Sequence, residues 1–199
     1  MQTISKEKLI KFQPPILAII LGAPGAGKTT LCRGFQKKGV KGLIDFIDIH
    51  YINKDQIGDF FTTERGKLYD DFRSIIYKII DSDAEEKLSL GKSVLIDATY
   101  TNELHNNWTE RYKKMAKKHG VKLKIIYCTV REDVLKRRIK KRNLDRDRNK
   151  LASKKSWREF LEKERLVSPI PFECLELDRS SDYSLTKNVH DVIEFLQKP

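Results

Sequence analysis

The sequence predicts an α/β fold, a three-layer α/β/α sandwich around a five-stranded, mostly parallel sheet. Three observations carry that reading. Short apolar runs without polar alternation, "ILAIIL" the first of them, read as strands covered on both faces. Between them lie longer stretches with apolar residues at three- and four-residue spacing, the period of helices that bury one face. The two patterns alternate along the chain, as they do in parallel sheets. A length of 199 residues with 39% apolar content suffices for one well-buried domain and is short for two, so residues 1–199 read as a single domain.

Residues 1–14 form a polar lead-in that ends at Pro14-Pro15. "ILAIILG" from Ile16 is the first strand. "KTTLCRGFQKK" is helical and is expected to stop at Gly39, since glycine readily ends a helix. "GLIDFIDI" (Gly42–Ile49) reads as the second strand. From Arg65 to Ser89 a long helix is expected, with Leu68, Phe72, Ile75, Ile76, Ile79 and Ile80 on one stripe. Gly91 closes it and "SVLIDA" is the third strand. Leu104, Trp108, Tyr112, Met115 and Ala116 line the next helix, which ends at His119-Gly120. "KLKIIYCTV" is the fourth strand and "REDVLKRRIKKR" a strongly basic helix. A charged loop, the helix "SWREFLEKER", the strand "FECLEL" and the helix "TKNVHDVIEFLQK" complete the order.

The first strand runs into Gly22-Ala23-Pro24-Gly25-Ala26-Gly27-Lys28-Thr29, which satisfies G-x-x-x-x-G-K-[ST]. Glycines let successive backbone N–H groups face a phosphate, and the helix that follows aims its positive end at the same anion. Lys28 reaches the β- and γ-oxygens and the Thr29 hydroxyl ligates Mg²⁺. Thr30, next on the helix, belongs to the same cradle. The strand–loop–helix context makes this a P-loop NTPase fold. A nucleoside triphosphate, ATP, and Mg²⁺ are the expected ligands.

The fate of the γ-phosphate rests on three further features. "DIHYINKDQIGDFF" follows the expected second strand, and chemistry in a doubly wound sheet collects beyond the carboxyl ends of the strands. Asp48, His50 and Asp55 are therefore candidates to accept a proton from an attacking hydroxyl, although a helix-capping aspartate gives the same pattern. "VLID" ends on Asp97, placed to reach Mg²⁺ directly or through water. Arg138 and Arg142, at i and i+4 with Arg137 beside them, would cover the phosphates from a lid at about residues 136–155 and exclude water.

These residues resemble the small P-loop kinases related to the 5′-kinase of phage polynucleotide kinase and to zeta toxins. The resemblance runs from Ile16 to Leu175 and rests on "GAPGAGKTT", "INKDQI", "VLIDAT" and "VLKRRIKKR". It implies that Asp55, in Ile52-Asn53-Lys54-Asp55, is the base for a 5′-hydroxyl. It further implies that Asp97 and Thr99 border the metal or acceptor site, and that Arg138 and Arg142 belong to the lid. Two positions depart from the polynucleotide kinase pattern. Gly58 stands where an arginine follows the base, and Ala98 stands where the third-strand aspartate falls.

Lys and Arg number 40 against 28 Asp and Glu, a net charge of +12, with a pI near 9.5. That field favours anionic partners, and a solvated lysine-rich surface accounts for the same number. A nucleic-acid acceptor is supported by the charge, by lysines from Lys113 to Lys124, and by Tyr51, Phe60 and Phe61 as bases' stacking partners. A small acceptor (sugar, nucleoside, amino-sugar or nucleoside monophosphate) would use a pocket in the helical stretch 58–90. Arg65 and Arg73 are the arginines available there for an acceptor phosphate. A non-catalytic nucleotide-binding regulator is the reading from another class.

Cys32, Cys128 and Cys174 show no CxxC spacing, so neither disulfides nor zinc are expected, and a reducing, cytoplasmic setting is. "KEKLIKFQPPILAIILGA" imitates a signal peptide, but the proline pair interrupts it and it reads as a buried strand. No apolar run approaches the roughly 20 residues that span a bilayer. The oligomeric state leaves no mark in the sequence.

Overall fold

The strands β1 (Ile16–Leu21), β2 (His50–Asn53), β3 (Val94–Asp97), β4 (Lys122–Thr129) and β5 (Leu175–Asp178) form one sheet in the order β2-β3-β1-β4-β5. Every pairing is parallel. The computed structural model of the protein describes residues 9–35, 38–61, 67–99, 108–164, 173–181 and 185–199. Among them, no helix is long and apolar enough to cross a membrane.

Alternation along each strand divides the core into two layers. Leu17, Ile19 and Leu21 of β1 face one way, onto α3 (Lys67–Ser89) and α4 (Trp108–His119), with Ile76, Ile80, Tyr112 and Met115. Ala18 and Ile20 face the other way, onto α1 (Lys28–Arg33) and α8 (Leu185–Gln197), with Leu31, Val189 and Val192. All six residues of β1 are buried, which explains why its sequence lacks polar alternation. A third cluster joins Ala23 to Leu135, Ile139, Trp157 and Phe160. It seats α5 (Glu132–Arg142), α6 (Asp145–Leu151) and α7 (Lys154–Lys163) against the start of the glycine loop. The indole of Trp157 donates to Glu132 at 2.8 Å and ties α7 to the first turn of α5.

Three expectations need correction. The second strand is not Gly42–Ile49: Leu43–Asp45 is a 3₁₀ turn and the strand is His50–Asn53. Leu43 and Ile47 owe their apolar character to packing in the α1/α8 layer. The first helix ends at Gly34, not Gly39. There the chain folds so tightly that a Cβ on Gly34 would lie 2.0 Å from the Val40 carbonyl oxygen. The charged loop after α5 contains a helix, α6, and α5 itself ends on Asn143 in the left-handed region. The five-stranded parallel sheet is as expected, with every strand pairing parallel. Leu104 and Arg65 lie outside the described residues.

Candidate active site

Strand register brings the site together. Asp97 of β3 pairs with Ile20 of β1 on one side and Asn53 of β2 on the other, so all three strands present their carboxyl ends at one level. The glycine loop leaves β1 two residues later, and the Gly22 N–H donates to the Thr99 carbonyl at 3.3 Å. Gly22 has φ +142°, and a Cβ there would lie 2.4 Å from the Cys128 carbonyl oxygen. Only glycine fits so close a backbone approach. Gly27 caps α1 in the left-handed region, Ala26 is buried under the loop, and Pro24 and Gly25 form its outer turn.

The Lys28 side chain crosses the loop, its ammonium donating to the carbonyls of Gly22 at 2.8 Å and Ala23 at 3.2 Å. Thr30, one residue beyond Thr29 on α1, gives its carbonyl to the Gly34 N–H that ends the helix. The Thr29 hydroxyl donates to Asp97 Oδ2 at 2.9 Å. That same oxygen accepts from the Tyr51 hydroxyl at 2.8 Å and from Asn53 Nδ2 at 2.9 Å. Burial pushes the Asp97 carboxyl up, the Lys28 charge and the bonds from Tyr51 and Thr29 draw it down, and the nearby charge of Asp55 adds to the rise, which is the net direction. A hydroxyl and a carboxylate 2.9 Å apart are hard oxygen donors of the kind Mg²⁺ takes, so the pair fits that ion.

Asp55 lies in the first turn of α2 (Lys54–Phe61), exposed, and close enough for its charge to be felt at Asp97. Asn53 sets the start of that helix by accepting the Gln56 N–H on its side-chain oxygen at 3.0 Å. Arg33 donates to Gln56 at 2.6 Å and lies over the Tyr51 ring at 5.1 Å. Two earlier candidates fall elsewhere. Asp48 precedes β2 and pairs with Lys11 at 3.5 Å. His50 opens β2, at the amino end of the strand, and pairs with Asp83 at 2.9 Å. Both stand at the wrong end of the sheet for the phosphates.

Of the two lid arginines, Arg138 reaches the loop: a Cβ on Gly27 would lie 3.7 Å from one of its guanidinium nitrogens. Arg142 does not join it. Its guanidinium forms a two-pronged pair with the buried Asp147, one bond at 2.7 Å, and Lys150 adds a third bond at 2.6 Å. A part for Arg142 at the phosphates requires that pair to open. Burial pushes the Asp147 carboxyl up, but the bonds from Arg142 and Lys150 outweigh it and hold it below its ordinary value. A depressed folded value means that the contribution is complete above about pH 4 and is lost as the pH falls below it. Tryptophan fluorescence should therefore report loosening around Trp157 in acid. Asp147→Asn should produce it at neutral pH, at a cost of about 3 kcal/mol.

Sequence reasoning missed Arg179. It is buried, follows β5 directly, and its Nε would lie 3.7 Å from a Cβ on Gly27. The available signal was its position: one residue past the carboxyl end of a strand, where α/β sites gather. Cys32 and Cys128 line the inner side of the site. Burial raises both thiols, Cys128 to about 12, which keeps them protonated and unreactive. All three cysteines are free.

A glycine loop between the first strand and first helix, an aspartate at the end of the adjoining strand and a helical arm seated on the loop make this the fold of the P-loop kinases. The chain belongs to the AAA_33 family of AAA domains, which matches residues 17–166. No curated protein matches its sequence. Among solved structures it resembles a candidate kinase from Chloroflexus aurantiacus, at 21% identity over 92% of this chain and 97% of the other, TM-score 0.67. It also resembles the APS kinase CysC of Mycobacterium tuberculosis, solved with AMPPNP and APS, at 18% identity over 93% and 99%, TM-score 0.58. Shikimate kinase from Bacteroides thetaiotaomicron is similar at 19% identity over 92% and 99%, TM-score 0.57. At these identities the likeness is one of fold.

Proposed function

We propose that this protein is a phosphotransferase that moves the γ-phosphate of ATP to a hydroxyl, with the 5′-hydroxyl of a polynucleotide or nucleoside as the acceptor. One observation carries the reading. The loop with Lys28, the Thr29–Asp97 pair and the exposed carboxylate of Asp55 converge at the carboxyl ends of β1, β3 and β2. Lys28 and Arg138 would neutralise the phosphoryl group in flight, and Asp55 would hold and deprotonate the acceptor. Thr29 and Asp97 would hold Mg²⁺, which supplies charge neutralisation at the β- and γ-oxygens when bound. Supporting a polynucleotide, Phe60 on α2 is 87% exposed. It stands edge-on to Phe61 at 5.6 Å, which is itself stacked on Phe72 at 5.3 Å, so Phe60 is braced from one side and its ring could stack on a base. Tyr51 is engaged with Asp97 instead.

A small acceptor is the second reading, favoured by a cavity of about 380 Å³ between Ala23, Tyr127, Thr129, Leu135, Arg158 and Leu161. The size suits one small molecule, and APS kinase, whose fold is similar, was solved with APS. The deciding experiment is incubation with γ-labelled ATP and a panel of 5′-hydroxyl oligonucleotides, nucleosides and sugars. Label on the oligonucleotide or on a nucleoside 5′-hydroxyl supports the first reading, and label on a sugar alone supports the second. Release of phosphate to water alone, or no turnover, overturns both and leaves a nucleotide-binding regulator. Phe60→Ala should raise KM for an oligonucleotide by roughly tenfold, within the about 1–3 kcal/mol of one base stack, and leave nucleotide affinity unchanged.

A further inference from the structure

The chain's positive charge is not spread over its surface. Between Lys136 and Arg158 stand 12 Lys and Arg against two Asp, so these 23 residues carry +10 of the net +12. Elsewhere several basic residues meet acids. On α4, Lys113 pairs with Glu110 at 2.8 Å, Arg111 with Asp81 at 3.3 Å, and Lys118 with Glu85. Helices α5 to α7 differ. Arg137, Lys140 and Lys141, at i, i+3 and i+4 on one side of α5, are exposed and make no ion pair with any described residue. The same holds for Lys154. Lys155 is 86% exposed, with only a 3.8 Å contact to Glu159.

Two physical details set this surface apart from an ordinary solvated face. First, α7 opens on Lys154-Lys155 with no acidic residue in its first turn, so two ammonium groups add to the positive end of the helix dipole instead of cancelling it. Second, the opposite side of α5 rests on the phosphate loop: Leu135 and Ile139 touch the space beside Gly25, and Arg138 that beside Gly27. The outward charges thus ride on the element that covers the expected site of transfer.

We propose that the outer face of α5 and the start of α7 is a docking surface for a nucleic-acid strand, held through its phosphates by Arg137, Lys140, Lys141 and Lys154. The assignment deepens, and in its choice of partner rests on, the polynucleotide reading above. A strand bound there would lie on the helix whose other side covers the loop. A lipid surface fits less well. An interfacial helix needs an apolar face to insert, whereas Val134, Leu135, Ile139, Trp157 and Phe160 are all buried, and Leu144 at 39% is the one large apolar side chain exposed among the described residues of these helices.

The test is fluorescence anisotropy of a labelled 5′-hydroxyl single strand with the full chain over a series of salt concentrations, for wild type, R137Q/K140Q/K141Q and K154Q. The triple variant is expected to bind roughly tenfold or more weakly at low salt. Its plot of log affinity against log salt should be shallower by about 2, three lost contacts at about 0.7 each on a single strand. K154Q should be shallower by about 0.7. Affinity for a fluorescent ADP should not change in either. An unchanged slope in the variants, or no binding by wild type, overturns the proposal. So does polyglutamate that competes as well as the oligonucleotide, since the surface would then suit an acidic protein. A strand that binds with the expected slopes but receives no label upholds the docking surface while the 5′-kinase reading fails. Labelling of the strand with unchanged slopes does the reverse.

Discussion

Lys28→Ala is expected to lower phosphoryl transfer by roughly 10²–10³-fold, about 2.7–4 kcal/mol of transition-state stabilisation, while the fold survives. The ammonium is nearly buried and crosses the loop to the carbonyls of Gly22 and Ala23. A cation so placed lies in the ring of amides that would surround the β- and γ-phosphates. Its charge also reaches Asp97, which it draws toward the ionised form, so the variant loses a direct contact with the nucleotide and a support for the Thr29–Asp97 pair. The loop itself keeps its shape, because that shape is dictated by Gly22 against the Cys128 carbonyl and by Gly27 at the start of α1. Lys28→Arg should fail nearly as badly, since a planar fork does not replace a point charge in a closed ring. Single-turnover transfer of label from γ-labelled ATP measures the loss, and circular dichroism checks the fold. A variant with the wild-type rate would remove Lys28 from the chemistry.

The parts of this site that could be read in sequence are those whose signal is contiguous. β1, the glycine loop and α1 form one uninterrupted motif, and "VLID" carries its aspartate at the end of a buried strand. What was not legible depends on partners far away in the chain. The polar-looking His50–Asn53 is a strand because β3 lies beside it, and the apolar Gly42–Ile49 is not one because Leu43 and Ile47 serve the layer beneath. α6 reads as a charged loop, since five of its seven residues are charged. Its helix is held by Asp147, which binds Arg142 of α5 and Lys150, a tertiary effect that overrides local preference. The convergence of Tyr51 and Asn53 on Asp97 follows from strand order and register, which no single segment encodes. Arg142 looked like a partner of Arg138 from its spacing alone, and the ion pair that occupies it becomes visible only when α6 folds back.

Asp55→Asn is expected to cut transfer by roughly 10²–10⁴-fold, the range for a general base, with nucleotide affinity and stability close to wild type. The carboxylate is exposed on the first turn of α2, so the amide that replaces it is met by water. The change at the helix start is worth about 0.3–1 kcal/mol through the dipole. A large kinetic loss would then belong to proton removal and not to folding. Asp97→Asn differs in kind. It neutralises a buried acceptor of three hydrogen bonds and should weaken the Mg²⁺-dependent part of nucleotide binding, seen by titrating ADP with and without the ion. Asp59, one turn further along α2, is the internal control: Asp59→Asn should leave transfer intact, because it removes the same charge from the same helix without touching the expected line of attack. If Asp55→Asn and Asp59→Asn behave alike, the helix contributes only its field, and the acceptor's proton leaves by another route.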